Sequence, residues 1–167
     1  QGKYVLAWEQ TRLDLVLADI FGFNAVQIGV PQVDFLRANR MPFHLYCCDH
    51  ARAALKSDPH HLPFATNSLD LVVLPHVLEF ATHPHQILRE VDRVLVPEGS
   101  VVVVGFNPFS LWGVRRLFAG KQGSVPWQGR YLSVPRLRDW FALLGHETRS
   151  GAFGCYAPAV TQEKWLQ

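Results

Sequence analysis

The sequence predicts a doubly wound α/β domain, because strand-like and helix-like apolar patterns alternate along it. Nearly continuous apolar runs at 69–74 and 101–105 are typical of strands covered on both faces of a parallel sheet. Between them, residues 83–95 repeat apolar side chains at helical spacing, with Pro84 in the first turn and Pro97 and Gly99 after it. This order indicates a right-handed crossover between parallel strands.

Residues before this unit add a helix and three strands. Apolar residues of the first helix recur at helical spacing, at Leu13, Val16, Leu17 and Ile20. Gly22 predicts that this helix ends near Phe21. Strands are predicted at 25–29, 43–48 and 54–56, with a short helix around 35–38.

Residues after the unit predict a helix that follows Ser133 and ends at Gly145, then final strands at 147–153 and 155–161. The count is thus about seven strands. The last two follow each other so closely that either a tight hairpin forms around Gly154 or a stretch of the natural protein is absent from this sequence.

Composition favours a single globular domain spanning residues 1–167. The chain is 49% apolar and 18% charged, which excludes disorder, and its net charge of +2 gives no reason to expect nucleic acid as a partner. Neither a membrane-spanning run nor a secretory signal is visible, so we expect a cytoplasmic protein. We expect all three cysteines to be reduced, and the scattered histidines to bind no metal.

Candidate site residues lie where strands end, since ligands of such sheets bind outside the carboxyl ends of the strands. They are Gly29, Asp49, Asp58, Pro75 with His76, and Asn107. Glycine allows close backbone approach, and carboxylates accept hydrogen bonds from ribose hydroxyls or a purine amine. These residues also have purely structural interpretations: a turn for Gly29 and Asp58, a cap for Asp49, a turn or cap for Asn107, and a structural histidine with satisfied hydrogen bonds for His76.

Order and spacing of three segments carry a family resemblance. Asp-Pro-His-His-Leu-Pro-Phe at 58–64, Asn-Ser-Leu-Asp-Leu-Val-Val at 67–73 and the segment 88–99 together resemble the central block of class I S-adenosylmethionine-dependent methyltransferases. The likeness is closest to the type 11 group, and within it to an uncharacterised bacterial branch with Gly-Phe-Asn-Pro, here at 105–108. This resemblance implies a Rossmann-like, mostly parallel sheet with an antiparallel last strand.

The resemblance also implies S-adenosyl-L-methionine as cofactor and a role for each matching residue. Asp58 would accept a hydrogen bond from the adenine amine, Pro59 would border the adenine, and Asp49 would hold the ribose hydroxyls. Gly29 would lie beneath the methionine moiety, and the backbone around Leu74, Pro75 and His76 would close the pocket near the sulfonium.

The glycine loop departs from the family pattern. Where the family has an acidic residue and three alternate glycines, this chain has Gln27, Gly29, Pro31 and Val33. The close backbone approach that the missing glycines allow must therefore be altered. The same departure argues against a dinucleotide-binding loop and so against a nicotinamide-dependent oxidoreductase.

The predicted function is methyl transfer to a small or amphipathic acceptor. His76 is the first candidate for a general base because its ordinary pKa lies near neutrality, followed by Glu79 and Asn107. An apolar acceptor pocket is predicted from Trp8, Phe106, Phe109, Leu111 and Trp112. The alternative is a non-catalytic interaction module on a decayed methyltransferase scaffold, whose Gly29 loop would be filled by Val30 or Val33.

Overall fold

The computed structural model describes residues 2–48, 54–106, 131–148 and 151. Its helices are α1 (Gly2–Leu17), α2 (Pro84–Val94) and α3 (Val134–Leu143). Its strands are β1 (Asn24–Ile28), β2 (Phe43–Cys48), β3 (Leu55–Lys56), β4 (Leu69–Pro75) and β5 (Leu95–Val104). All neighbours in the sheet are parallel, in the order β3-β2-β1-β4-β5. The doubly wound α/β fold is thereby confirmed.

The central strand β4 shows how the sheet separates two apolar layers. Leu71 and Val73 join the cluster that includes Leu13 and Leu17 of α1. The alternate residues Val72 and Leu74 join the cluster on the other face, which contains the buried side of α2. Burial of each such side chain contributes roughly 1.5–3 kcal/mol, so β4 anchors both layers.

The end of α1 differs from its predicted position near Phe21. The helix ends at Leu17, where the side-chain amide of Asn39 donates to the carbonyl oxygens of Leu17 (2.7 Å) and Ile20 (2.9 Å). Asn39 is buried, and it satisfies carbonyls that a helix end leaves without partners. A cap supplied from so far along the chain leaves no local signal.

The short helix predicted around 35–38 is wrong, because this segment forms turns. The Asp34 carboxylate accepts from the Leu36 N–H, and the Asn39 side chain accepts from the Met41 N–H. Such local side-chain bonds compete with helical ones. The connection from β1 to β2 therefore contains no regular helix.

Elements after β4 follow the prediction more closely. Helices α2 and α3 match their predicted bounds, and Gly145 follows α3 with a positive φ of 82°. Strand β5 is longer than predicted because it begins at Leu95, directly after α2. Glu147 and Thr148 are not in a strand, whereas most of 149–153 and all of 155–161 lie outside the described residues. Cys47 and Cys48 are buried thiols.

Candidate functional site

Two loops meet where the strand order reverses. Strand β1 has β2 on one side and β4 on the other, so the loops after β1 and β4 flank the crevice in which doubly wound sheets bind ligands. Gly29 follows β1 with a φ of +87°, and a Cβ added there would lie only 2.7 Å from Cγ2 of Val77 in the opposite loop. Glycine is required here for both conformation and space.

The β1 loop is braced from beneath by Gln27, whose side chain is fully buried. The two hydrogens of its Nε2 are shared among the carbonyl oxygens of Gly29 (3.2 Å), Val30 (3.2 Å) and Val33 (2.8 Å). Its Oε1 accepts from the N–H of Phe35 at 2.9 Å. One uncharged amide therefore fixes most of this loop.

The β4 loop is held by a charged cluster of Glu9, His76 and Glu79. Nε2 of His76 lies 3.0 and 3.2 Å from the two carboxylate oxygens of Glu9, and Nδ1 lies 3.1 Å from Oε2 of Glu79. Both glutamate side chains are buried and that of His76 is only 11% exposed. The cluster ties α1 to the carboxyl end of β4.

The cluster keeps His76 protonated at neutral pH. Burial alone would lower the pKa of this imidazole, but hydrogen bonds to Glu79 and Glu9 and the two negative charges outweigh it and raise the pKa to about 9. A ring that donates from both nitrogens has no lone pair free, so the base role predicted for His76 requires the loss of one of these protons first.

Aromatic rings continue the cluster away from α1. The ring of Phe106 lies 4.6 Å from that of His76 and 5.5 Å from that of Tyr131, and the Phe106 N–H donates to Glu79. Phe106 thus lies beside His76, and its predicted role in an acceptor pocket stays a prediction, whereas Tyr131 was not anticipated. Phe109, Leu111, Trp112 and Asn107 lie outside the described residues. Trp8 is half-buried on α1, beneath the guanidinium of Arg12.

Glu9 is the site residue that sequence reasoning missed. Val5, Leu13 and Leu17 are buried at a spacing of four, and Glu9 occupies the remaining position of that stripe. Extending the apolar repeat one more turn toward the amino end would have placed a glutamate on the buried face. A carboxylate in such a position needs a partner, and this was the available signal.

The adenine residue predicted by the resemblance, Asp58, lies in a loop at the carboxyl side of β3. Its side chain is 59% exposed, and its Oδ1 accepts from the backbone N–H (2.9 Å) and Nδ1 (2.8 Å) of His60. These bonds, the backbone one first, hold the pKa of Asp58 below its usual value. The adenine contact stays a prediction, as does that of Pro59, which is half-buried beside it.

Helix α2 fixes the loop that carries Asp58. The Arg93 guanidinium donates to the carbonyl oxygens of Leu62 and Phe64, each at 3.1 Å, and Glu90 accepts from the Leu62 N–H at 2.8 Å. Arg93 also pairs with Glu90 at 2.6 Å, which lowers the pKa of that carboxyl. Arg93 and Glu90 thus give the 88–99 segment a physical link to the 58–64 segment.

The remaining predicted residues are placed as follows. Leu74 and Pro75 are buried at the end of β4, directly before His76, so their backbone borders the crevice, and its role in closing the cofactor pocket stays a prediction. Asp49, predicted for the ribose, lies outside the described residues. Within the described ranges, no cluster of His, Cys, Asp and Glu has the make-up of a metal site, and no helix has the length and apolarity to cross a membrane.

Sequence comparison connects this site to known proteins. A methyltransferase domain family matches residues 29–103. The chain is 43% identical over 93 residues to the uncharacterized protein YafS of Escherichia coli K12, covering 56% of this chain and 39% of YafS. It is 28% identical over 111 residues to the demethylmenaquinone methyltransferase of Chlamydia pneumoniae, covering 64% of this chain and 47% of that enzyme. The chain spans less than half the length of these two relatives.

Structural comparison gives the fold of a methyltransferase. The fold is similar to that of an S-adenosylmethionine-dependent methyltransferase from Thermotoga maritima, with a TM-score of 0.68, 21% identity and coverage of 88% of this chain and 78% of that one. The matched residues 29–103 include Gly29, Asp58 and His76. The sequence match and the parallel sheet agree, and the chain has the fold of class I S-adenosylmethionine-dependent methyltransferases.

Proposed function

We propose that the chain binds S-adenosyl-L-methionine in the crevice between the β1 and β4 loops and transfers its methyl group to a small or amphipathic acceptor. The observation that carries this proposal is the close approach of Val77 to the left-handed Gly29, which leaves no space for a Cβ there. It brings the two loops together at the point where the fold binds ligands. Both residues lie inside the segment that matches methyltransferases.

The cofactor brings an already activated methyl group on a sulfonium, so the work of the protein is mainly orientation. Orientation contributes up to about 7–11 kcal/mol in favourable cases. The Gly29 backbone and the backbone of Leu74 and Pro75 would hold the methionine end, and Asp49 and Asp58 would hold the ribose and the adenine. The buried Gln27 and the Glu9–His76–Glu79 cluster keep both loops in position for this.

The acceptor would lie on the aromatic side of the crevice. The ring of Phe106 lies tilted between those of His76 and Tyr131, and aromatic rings of this kind suit a flat or amphipathic molecule. His76 is the predicted base for acceptors that must lose a proton. Acceptors that react as neutral nucleophiles need none.

A second candidate is a non-catalytic interaction module, and one observation favours it. Val30 and Val33 of the β1 loop pack partly buried against the apolar cluster that includes α1. This packing is what a decayed cofactor loop would show. The two candidates differ in whether the chain binds the cofactor.

Calorimetric titration of the full chain with S-adenosylhomocysteine, and in parallel with NAD, tests the proposal. We expect S-adenosylhomocysteine alone to bind. We expect Asp58→Ala to weaken binding by roughly 1.5–3 kcal/mol, the scale of a hydrogen bond to a charged group. Asp139→Ala, an exposed change on α3, is the matched control. Absence of binding at millimolar ligand would support the interaction module, and an unchanged affinity of Asp58→Ala would refute the adenine assignment.

A further inference from the structure

The side-chain amide of Gln27 holds the backbone of the β1 loop through hydrogen bonds. Its Nε2 contacts three carbonyl oxygens, those of Gly29, Val30 and Val33, while its Oε1 accepts from Phe35. A glutamate of the same length would direct a carboxylate at three carbonyl oxygens and lose the donor. An amide offers a donor and an acceptor at one end of the side chain, which is what this loop requires.

The brace also explains how the loop holds its shape with a single glycine. Val30 adopts a positive φ of 43°, a strained conformation for a β-branched residue, and its carbonyl oxygen accepts from Gln27. The Val33 N–H bonds the Val30 carbonyl oxygen at 3.2 Å and closes a turn around Pro31, which has no N–H to satisfy. At Gly29 the neighbouring loop leaves no space for a side chain.

We propose that Gln27 is a positioning residue that shapes the β1 loop for the amino-acid end of the cofactor, in place of the acidic residue and the missing glycines. The proposal rests on the proposed function. Gln27 would thus compensate for the departure from the family pattern. It stands where the family has an acidic residue, and its side chain holds the backbone of a loop that lacks two of the family's three glycines.

The test compares two ligands in Gln27→Glu. S-adenosylhomocysteine has the amino-acid end and 5′-methylthioadenosine lacks it, so a defect confined to the β1 loop affects only the first. We expect the variant to bind S-adenosylhomocysteine about tenfold more weakly than the wild type, the scale of one or two lost hydrogen bonds, and 5′-methylthioadenosine within about twofold. Lowering the pH should restore part of the loss, because a protonated carboxyl regains one donor.

Gln86→Glu, the same change at an exposed position of α2, is the control for added charge. If Gln27→Glu does not fold, Gln27→Asn keeps the amide but shortens its reach, and the same selective loss is expected. Unchanged binding of S-adenosylhomocysteine, or an equal loss of both ligands, would overturn the proposal. Failure of the wild type to bind either ligand would instead refute the proposed function.

Discussion

The loops after β1 and β4 border the same crevice, yet one is held by a neutral side chain and the other by charges. Gln27 makes its four hydrogen bonds within one short segment of chain. The Glu9–His76–Glu79 cluster joins α1 to the end of β4. Amide hydrogen bonds do not titrate between pH 6 and 9, whereas an imidazolium does. The two sides of one site can therefore respond differently to pH.

The largest expected effect is the pH dependence that His76 gives to stability. Its pKa is about 9 in the folded chain and about 6.5 when unfolded, so its stabilisation is complete below about pH 6.5 and is lost as the pH rises through about 9. Urea unfolding should therefore show a fall of roughly 3 kcal/mol across this range that is missing in His76→Gln.

The exposed change His83→Gln serves as the control, and it should keep the wild-type pH profile. If the free energy of unfolding of the wild type and of His76→Gln depended on pH in the same way, the cluster would not hold the proton on His76. The β4 loop would then not be held by an imidazolium.

A smaller effect is expected for the neutral brace. Gln27→Leu removes the partner of three carbonyl oxygens and one N–H, and we expect a loss of about 2 kcal/mol in the free energy of unfolding. Unlike the His76 effect, this loss should be the same at pH 6 and pH 9. A loss that grows or shrinks strongly with pH would mean that the two braces are coupled and are not the independent devices described above.

The smallest effect on stability is expected at the loop that carries Asp58, which Arg93 holds through hydrogen bonds. Arg93→Met removes bonds to Leu62 and Phe64, but the Arg93 side chain is 37% exposed, so we expect a stability loss of only about 1 kcal/mol. Arg89→Met, an exposed change on the same helix, should be neutral. If Asp58 contacts the adenine, S-adenosylhomocysteine should also bind more weakly to Arg93→Met. Equal binding of S-adenosylhomocysteine by Arg93→Met and Arg89→Met would show that this loop is not part of the cofactor site.

Local patterns predicted the elements that local forces determine. The runs of β2 and β4 and the amphipathic α2 are evident because burial on the sheet repeats with the period of the backbone. The end of α1 depends on Asn39, whose partners Leu17 and Ile20 are distant in the sequence. The absence of a helix before β2 depends on the side-chain bonds of Asp34 and Asn39, which the apolar pattern does not show. A single sequence shows their identities but not what they contact.

The site was predicted to a similar extent. The rule for doubly wound sheets selected Gly29 and His76, and the structure brings their two loops together through Val77. The predicted general base is an imidazolium that donates from both ring nitrogens. One acceptor, Glu9, lies on the buried face of α1, and the predicted apolar repeat of that helix did not extend as far as Glu9. Residue spacing along one segment does not show which charged residues of other elements lie beside it.

A crystal structure of the chain with S-adenosylhomocysteine tests the proposed cofactor site most directly. We predict that the ligand lies between the loops after β1 and β4, with its amino-acid end over Gly29 and its adenine toward Asp58. Density for the ligand away from this crevice, for example in the polar depression lined by Asn67, Asp92 and His146 at the opposite edge of the sheet, would contradict the account.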